Sequence, residues 1–201
     1  MIETKRGDSD AAQQSLTNSI ETVLPVLARN PDVVDCRQIL FGATKDLCDI
    51  ALAQGDPDAA LQALRRSFPA FEAAAARPSA NARDHGWLFD MRCLEFSSYR
   101  ARGDYASACE KALALPALAK SPQHELFIAV AFARCLALAD ADQAMSEVAR
   151  AAARRNHTEH ALTFLRRART GGAEVKDLAT DLDFAPLRQD PDFQQLCRDW
   201  K

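Results

Sequence analysis

A Gly-Asp pair that recurs every 48 residues constrains the fold of this chain more than any other feature. The copies begin at Gly7, Gly55 and Gly103, and each continues into a segment rich in alanine. Glycine supplies the left-handed conformation that ends a helix, and aspartate accepts the free N–H groups of the next first turn. Each copy therefore predicts a hinge between two helices, and a fixed period of this size indicates a helical solenoid.

The residues between the hinges have helical composition and spacing. Alanine and leucine dominate and aromatic residues make up 7% of the chain, which favours helices over sheets. The apolar residues of the first segment recur at spacings of three and four. We expect helices at about 8–29, 34–54, 57–76, 84–102, 105–119, 123–139, 141–155 and 157–170. Pro25, Pro69 and Pro116 lie late in the helices that follow the hinges, where proline bends or ends a helix.

The third hinge resembles a tetratricopeptide repeat. It reads Gly103-Asp104-Tyr105-x-x-Ala108, with Tyr99 upstream and Pro122 closing the unit, and the hinge at Gly55 is a degenerate copy. The period exceeds the ~34 residues usual for that family, and longer helices account for the difference. The resemblance implies an all-α fold in which helix-turn-helix repeats stack as a short right-handed α-solenoid, with residues 1–201 as one domain.

The C-terminal residues resemble a second, more particular pattern. The stretch from Ala161 to Leu196 is similar to the close of tetratricopeptide arrays that follow the kinase domain in some bacterial serine/threonine protein kinases. Residues 171–201 are predicted to cap the solenoid through two short helices. Their apolar faces are Phe184, Leu187, Phe193 and Leu196, Asp183 and Asp190 are the expected N-caps, Pro191 suits a first helical position, and Arg188 is expected to pair with either aspartate.

No catalytic motif or cofactor site is predicted. The chain lacks the glycine-rich loop, the His-Arg-Asp loop and the Asp-Phe-Gly motif of a protein kinase, and no nucleophile elbow supports a Ser-His-Asp set. The six cysteines are scattered without a Cys-x-x-Cys pair and read as small buried apolar residues rather than metal ligands or disulfides. His157 and His160 have the spacing of a metal pair, but Asn156 and Glu159 suit a helix-capping box better, so no metal is expected.

Charge and hydropathy exclude other partners. The formal net charge of -3 provides no positive field for nucleic acid or an anionic membrane. No apolar run has the ~20 residues of a transmembrane helix, and the first residues lack the apolar run of a secretory signal, so we expect a cytoplasmic protein. The arginines between 150 and 169 concentrate positive charge in one part of the chain. We interpret this part as a solvated helix face whose charge is balanced by Glu147, Glu159 and Glu174.

The expected function is therefore a non-catalytic scaffold that binds a peptide or helix of a partner protein in the solenoid groove. The polar residues expected to line that groove are Lys45, Asp49, Arg92, Ser97, Arg100 and Arg134. The alternative is a regulatory or oligomerising tail of, or split from, a bacterial serine/threonine protein kinase.

The first repeat suggests a surface for self-association. Only six residues precede Gly7, so the helix after it has no leading helix to pack against. Its apolar side chains are then expected to remain uncovered and to mediate dimerisation or docking to an upstream segment. These residues are Leu16, Ile20, Val23 and Leu27.

Overall fold

A computed structural model describes the backbone of residues 2–175 and 177–200, and the side chains from residue 10 within those ranges. The described secondary structure is entirely helical, as the composition predicted. The chain divides into two compact units, Met1–Arg102 and Gly103–Lys201. The division falls at the third Gly-Asp hinge, and the prediction of a single domain stays a prediction.

The described residues contain eight α-helices and two 3-10 helices. The N-terminal unit contains α1 (Ile2–Arg29), α2 (Val34–Ala53), α3 (Pro57–Ala75) and α4 (Ala82–Ala101). The C-terminal unit contains α5 (Tyr105–Ala114), a 3-10 helix (Leu115–Leu118), α6 (Pro122–Ala141), α7 (Glu147–Thr170), a second 3-10 helix (Leu182–Leu187) and α8 (Pro191–Asp199).

Two of the three predicted hinges are present. Gly55 and Gly103 have φ angles of 75° and 76°, in the left-handed region where a side chain would be strained. The following Asp56 and Asp104 side chains accept the backbone N–H groups of Ala59 and Ser107, each at 3.0 Å. The hinge chemistry inferred from the sequence is therefore confirmed at both positions.

The prediction of a hinge at Gly7 is wrong, because α1 runs without interruption from Ile2 to Arg29. A single glycine lowers helix propensity by only ~1 kcal/mol, which neighbouring helix-forming residues can offset. The predicted break between residues 155 and 157 is wrong for a similar reason. α7 is one helix from Glu147 to Thr170, and Ser146 is its N-cap, because the Ser146 hydroxyl accepts the N–H of Ala149.

The three prolines behave differently. Pro25 and Pro69 lie inside α1 and α3, and neither ends its helix. Pro116 lies in the 3-10 helix that directly follows α5, so α5 ends earlier than expected. The Asn81 side chain and Asp84 form a capping box, so α4 begins two residues before the predicted start.

In the N-terminal unit, consecutive helices pack on one another, and the alternate pairs α1 with α3 and α2 with α4 are also in contact. Arg77, just after α3, donates to the carbonyl of Pro31 and pairs with Asp32, just before α2. Arg102 at the end of α4 reaches Asp58 at the start of α3. α3 therefore runs antiparallel to α2 and α4, around a core that includes Leu40, Leu64 and Phe71.

In the C-terminal unit, α6 packs against α7, α5 and the 3-10 helix Leu182–Leu187. α6 carries a buried run of small and aromatic residues that includes Ile128, Phe132 and Leu136. α8 packs on α7. The C-terminal segment buries Phe184, Leu187, Phe193 and Leu196 as predicted, so its apolar face is part of the core of this unit.

Candidate functional site

The open surface formed by α2 and α4 is the candidate binding site, and we call it the α2/α4 face. On α2 it includes Gly42, Lys45 and Asp49, and on α4 it includes Gly86, Asp90 and Ser97. Within each helix these residues are spaced by three, four or seven, so they share one side of the helix. α2 and α4 are in contact, Phe41 stacks on Trp87, and Lys45 interacts electrostatically with Asp90, so the two sets lie beside each other.

Charged groups from both helices meet on this face. The Lys45 ammonium donates to the Asp49 carboxylate at 2.6 Å, and both side chains are about half exposed. This hydrogen bond raises the pKa of Lys45 above its ordinary value, and Asp46 and Asp90 add electrostatic attraction. Asp90 on α4 attracts the Lys45 ammonium on α2, so positive and negative charges lie close together on this face. Such an arrangement suits a peptide that carries both signs of charge.

The two glycines leave the backbone of the face uncovered. A Cβ atom added at Gly42 or Gly86 would meet nothing within 4 Å. Packing therefore does not require glycine at either position, although each lowers helix stability by ~0.5–1 kcal/mol relative to alanine. The open space allows another chain to approach the helix backbone closely.

An aromatic pair joins the two helices beside the glycines. Phe41 and Trp87 are half-buried and stack with ring centroids 5.6 Å apart and an interplanar angle of 24°. The Arg83 guanidinium lies 5.9 Å from the Trp87 ring centroid. Partly exposed aromatic rings beside arginine are typical of surfaces that recognise proteins.

The residues predicted to line the groove do not all lie on one surface. Lys45, Asp49 and Ser97 lie on the α2/α4 face. Arg92 pairs with Glu72 of α3 and with Glu95, and its guanidinium lies 4.2 Å from the centroid of the Phe68 ring. Arg100 is exposed near the end of α4.

Arg134 belongs to the C-terminal unit, where it holds the C-terminal segment on α6. Its Nε and Nη2 atoms donate to Oδ1 and Oδ2 of Asp183, each at 2.9 Å. The prediction that Asp183 caps a helix is therefore wrong, because Asp181 caps the 3-10 helix while Asp183 binds Arg134. Asp190 caps α8 and Pro191 occupies its first turn, as predicted.

Arg188 also differs from its prediction. Instead of pairing with an aspartate side chain, its Nη2 donates to the backbone carbonyls of Thr180 and Asp181 at 3.1 and 3.3 Å. These bonds close the loop before the 3-10 helix. Arg188 therefore has the structural role that the sequence suggested, through different atoms.

The apolar residues of α1 are covered within the chain. Ile20, Val23 and Leu27 are 2%, 6% and 5% exposed, and only Leu16 is half-buried. The expectation that this side of α1 lacks a packing partner is wrong, because α2 and α3 both pack against it. Self-association through α1 remains a prediction, but it would have to use other residues, such as Val26, which is 41% exposed.

The arginines of α7 are engaged mainly by acidic groups and carbonyls outside that helix. Arg150 donates to the carbonyls of Ala139, Asp142 and Met145 and thereby closes the end of α6. The other pairs are Arg154 with Asp140, Arg166 with Asp192 and Arg169 with Asp199. The structural interpretation is supported, although the partners are these aspartates rather than Glu147, Glu159 and Glu174.

The two histidines lie in the middle of α7, so the predicted capping box at Asn156 is wrong. Phe132 of α6 stacks on both rings, with centroids 6.0 Å from His157 and 4.6 Å from His160. In the part of the chain that the structure describes, no group of histidine, cysteine and acidic side chains has an arrangement that could hold a metal ion. No described helix is both long enough and apolar enough to cross a membrane.

Asp90, the two open glycines and the stacked aromatic pair were not among the residues predicted from the sequence. Glycine inside a helical pattern was a usable signal, because Gly42 and Gly86 lie in helices that were predicted. Comparison with known proteins found no matching family model, no similar curated protein and no similar solved structure.

Proposed function

We propose that this protein is a non-catalytic scaffold and that its α2/α4 face binds a peptide or helix of a partner protein. The observation that carries the proposal is the open backbone at Gly42 and Gly86, between the Phe41–Trp87 stack and the charges at Lys45, Asp49 and Asp90. The proposal includes a tetratricopeptide-like stacking of the repeats. The contacts of α1 with α3 and of α2 with α4 support this stacking within the N-terminal unit.

The chemistry of the face favours an extended or helical segment that carries an apolar anchor and both signs of charge. The anchor would contact the aromatic rings, where apolar area is removed from water at ~25 cal/mol per Å². Lys45 and Asp49 would exchange their mutual hydrogen bond for bonds to the ligand. Because exposed ion pairs contribute under ~1 kcal/mol, that exchange costs little.

The experiment fills the face without disturbing the core. A Gly42→Gln and Gly86→Gln double variant introduces two side chains into open space, and glutamine is a better helix former than glycine. The control is Ala152→Gln, because Ala152 is exposed on α7 of the other unit. Each protein is immobilised, exposed to lysate of the source cells, and its captured proteins are quantified by mass spectrometry.

The proposal predicts that the unmodified chain and the Ala152→Gln control enrich the same protein. The double variant should lose at least ~90% of that signal, a tenfold change that corresponds to ~1.4 kcal/mol. Equal capture by all three proteins would contradict the proposal.

A further inference from the structure

Four polar side chains from three helices form a buried cluster in the C-terminal unit, which we call the Cys109 cluster. Tyr105 and Cys109 lie on α5, Cys135 lies on α6 and His157 lies on α7. Cys109, Cys135 and His157 are 8%, 0% and 3% exposed. The Tyr105 hydroxyl is 2.9 Å and the Cys109 sulfur 3.5 Å from Nε2 of His157, and Cys109 also shares hydrogen bonds with Cys135 and Tyr105.

The hydrogen bonds of His157 determine the direction of the network. Its Nδ1 atom is buried without a hydrogen-bond partner among the described residues. A buried N–H with no acceptor costs more than a bare ring nitrogen, so we assign the ring proton to Nε2. His157 is then a donor toward Tyr105 and Cys109, and the Tyr105 hydroxyl is free to donate to the Cys109 sulfur.

Three donors therefore converge on one sulfur, namely the Cys135 thiol, the His157 ring N–H and the Tyr105 hydroxyl. Their hydrogen bonds, with that from Cys135 the largest cause, lower the pKa of Cys109 to about 5 despite its burial. The bond to Cys109 and burial raise the pKa of Cys135. The hydrogen bonds therefore favour the thiolate at Cys109 and the protonated thiol at its neighbour Cys135.

The other buried cysteines provide an internal comparison. Cys48 donates to the carbonyl of Ala60 at 3.6 Å, and burial raises its pKa to about 12. Burial likewise raises the pKa of Cys93. These thiols have the character of apolar core residues that the sequence predicted for all six, whereas Cys109 is held in a site built from polar donors.

We propose that Cys109 and Cys135 are a dithiol site that reduces a small hydroperoxide and becomes a disulfide. The Cys109 thiolate attacks the terminal oxygen of the hydroperoxide, the O–O bond breaks, and the leaving alkoxide takes a proton to become an alcohol, or water if the oxidant is hydrogen peroxide. Cys109 is then a sulfenic acid. The Cys135 sulfur attacks the Cys109 sulfur, the S–O bond breaks, and the hydroxyl leaves with the Cys135 proton as water.

The reaction balances as two thiols oxidised to one disulfide while one hydroperoxide is reduced to an alcohol and water. The low exposure of Cys109 selects the oxidant by size. An exposed fraction of 8% at Cys109 favours a small oxidant such as hydrogen peroxide over a disulfide of peptide size. Thiolate character and an adjacent second cysteine are two of the features of oxidisable cysteine pairs.

The test treats the purified 201-residue chain with equimolar hydrogen peroxide at neutral pH. Samples taken over time are alkylated under denaturing conditions, digested and mapped by mass spectrometry. The expected result is a peptide pair linked by a Cys109–Cys135 disulfide that forms at least ~10-fold faster than oxidation at Cys36 or Cys197, although those two are the more accessible cysteines.

Two variants separate the steps. Cys135→Ser keeps a hydrogen-bond donor toward Cys109 but removes the attacking sulfur, so it should stop the reaction at a Cys109 sulfenic acid that dimedone labels. Tyr105→Phe keeps the ring and removes one donor, so it should slow disulfide formation by ~3–10-fold. Cys197→Ala is the control and should leave the Cys109–Cys135 rate unchanged.

Mass spectrometry of the unmodified chain tests the proposal even if a variant misfolds. Oxidation of Cys36 or Cys197 ahead of Cys109, or sulfenic acid at Cys109 that never becomes a link to Cys135, would overturn the proposal.

Discussion

The Arg37 side chain on α2 and the Asp84 side chain on α4 form a buried ion pair, with Nη1 and Oδ1 3.3 Å apart and the side chains 6% and 2% exposed. Arg77 places a second guanidinium 3.8 Å from the other oxygen of Asp84. The pair joins the first turn of α2 to the first turn of α4. It therefore sets the relative position of the two helices whose exposed surfaces form the α2/α4 face.

Removing one partner of this pair should be strongly destabilising. Asp84→Ala leaves the Arg37 guanidinium buried without a counter-ion and removes the capping box at Asn81, so the free energy of unfolding should fall by ~3–5 kcal/mol. The double variant Arg37→Met with Asp84→Ala leaves no uncompensated charge and should lose less. Urea denaturation followed by circular dichroism measures both. A loss under ~1 kcal/mol in Asp84→Ala would show that the pair does not fix the two helices.

The same substitution should have opposite effects at two glycines. At Gly171 an added Cβ would lie 2.6 Å from Cγ and 3.0 Å from Cβ of Pro122, so Gly171→Ala should destabilise the chain by ~1–3 kcal/mol. At Gly42 the space is open, so Gly42→Ala should stabilise it by ~0.5–1 kcal/mol. Thermal unfolding of the two variants side by side tests this, and a melting temperature that shifts in the same direction for both would contradict it.

The ion pair between Arg134 and Asp183 should contribute measurably to the attachment of the C-terminal segment. Its two parallel hydrogen bonds are ideal in length, but the side chains are 26% and 35% exposed, so a coupling energy near ~1 kcal/mol is expected. A double-mutant cycle with Arg134→Ala and Asp183→Ala measures it. Hydrogen exchange of residues 182–187 should accelerate in either single variant, and unchanged exchange would assign the attachment to the apolar contacts alone.

The fold was largely predictable because it depends on local signals. Gly55 and Gly103 predict the hinges, and the spacing of the apolar residues predicts the helices between them. The predicted helix boundaries were wrong where the preference of one residue for a boundary was weaker than the helix preference of its neighbours. Gly7 and Asn156 have the chemistry of helix boundaries, but each lies within a longer helix whose other residues favour its continuation. The resemblance to the tail of bacterial serine/threonine protein kinases stays a prediction.

The stability of the protein should depend on pH through Cys109. Between its pKa of about 5 in the folded chain and its ordinary value of 9.0, the folded state binds fewer protons than the unfolded state. The contribution of Cys109 to stability should therefore grow as pH rises through this window, and it should disappear below the folded pKa. The groups that face Cys109 are Tyr105, Cys135 and His157, and all three are present in both proteins compared.

The measurement is the difference in unfolding free energy between the unmodified chain and Cys109→Ala at several pH values. We expect the difference to increase from pH 5 to pH 8. Cys48→Ala is the matched control, and its difference should stay flat over the same range because the Cys48 thiol is protonated in both states. A flat profile for Cys109→Ala as well would show that Cys109 is an ordinary buried thiol.

The candidate site was less predictable than the fold because it depends on which helix faces meet. Lys45 and Arg92 are both basic residues on predicted helices, yet Lys45 lies on the α2/α4 face while Arg92 contacts Glu72 of α3. The Cys109 cluster was missed for the same reason. Its cysteines lie on different helices, and no spacing along the chain indicates that they meet at His157.

The most direct test of the proposed function places a photo-cross-linking amino acid on the α2/α4 face. Asp90 is replaced by benzoylphenylalanine in one protein and Ala152 in another, because both positions are exposed and lie in different units. Each protein is irradiated in lysate of the source cells, and adducts are identified by mass spectrometry. We predict an adduct with a distinct protein at position 90, absent at position 152 and lost when Gly42→Gln and Gly86→Gln are added. Adducts of equal yield at both positions, or at position 152 alone, would contradict the assignment of the α2/α4 face as the binding site.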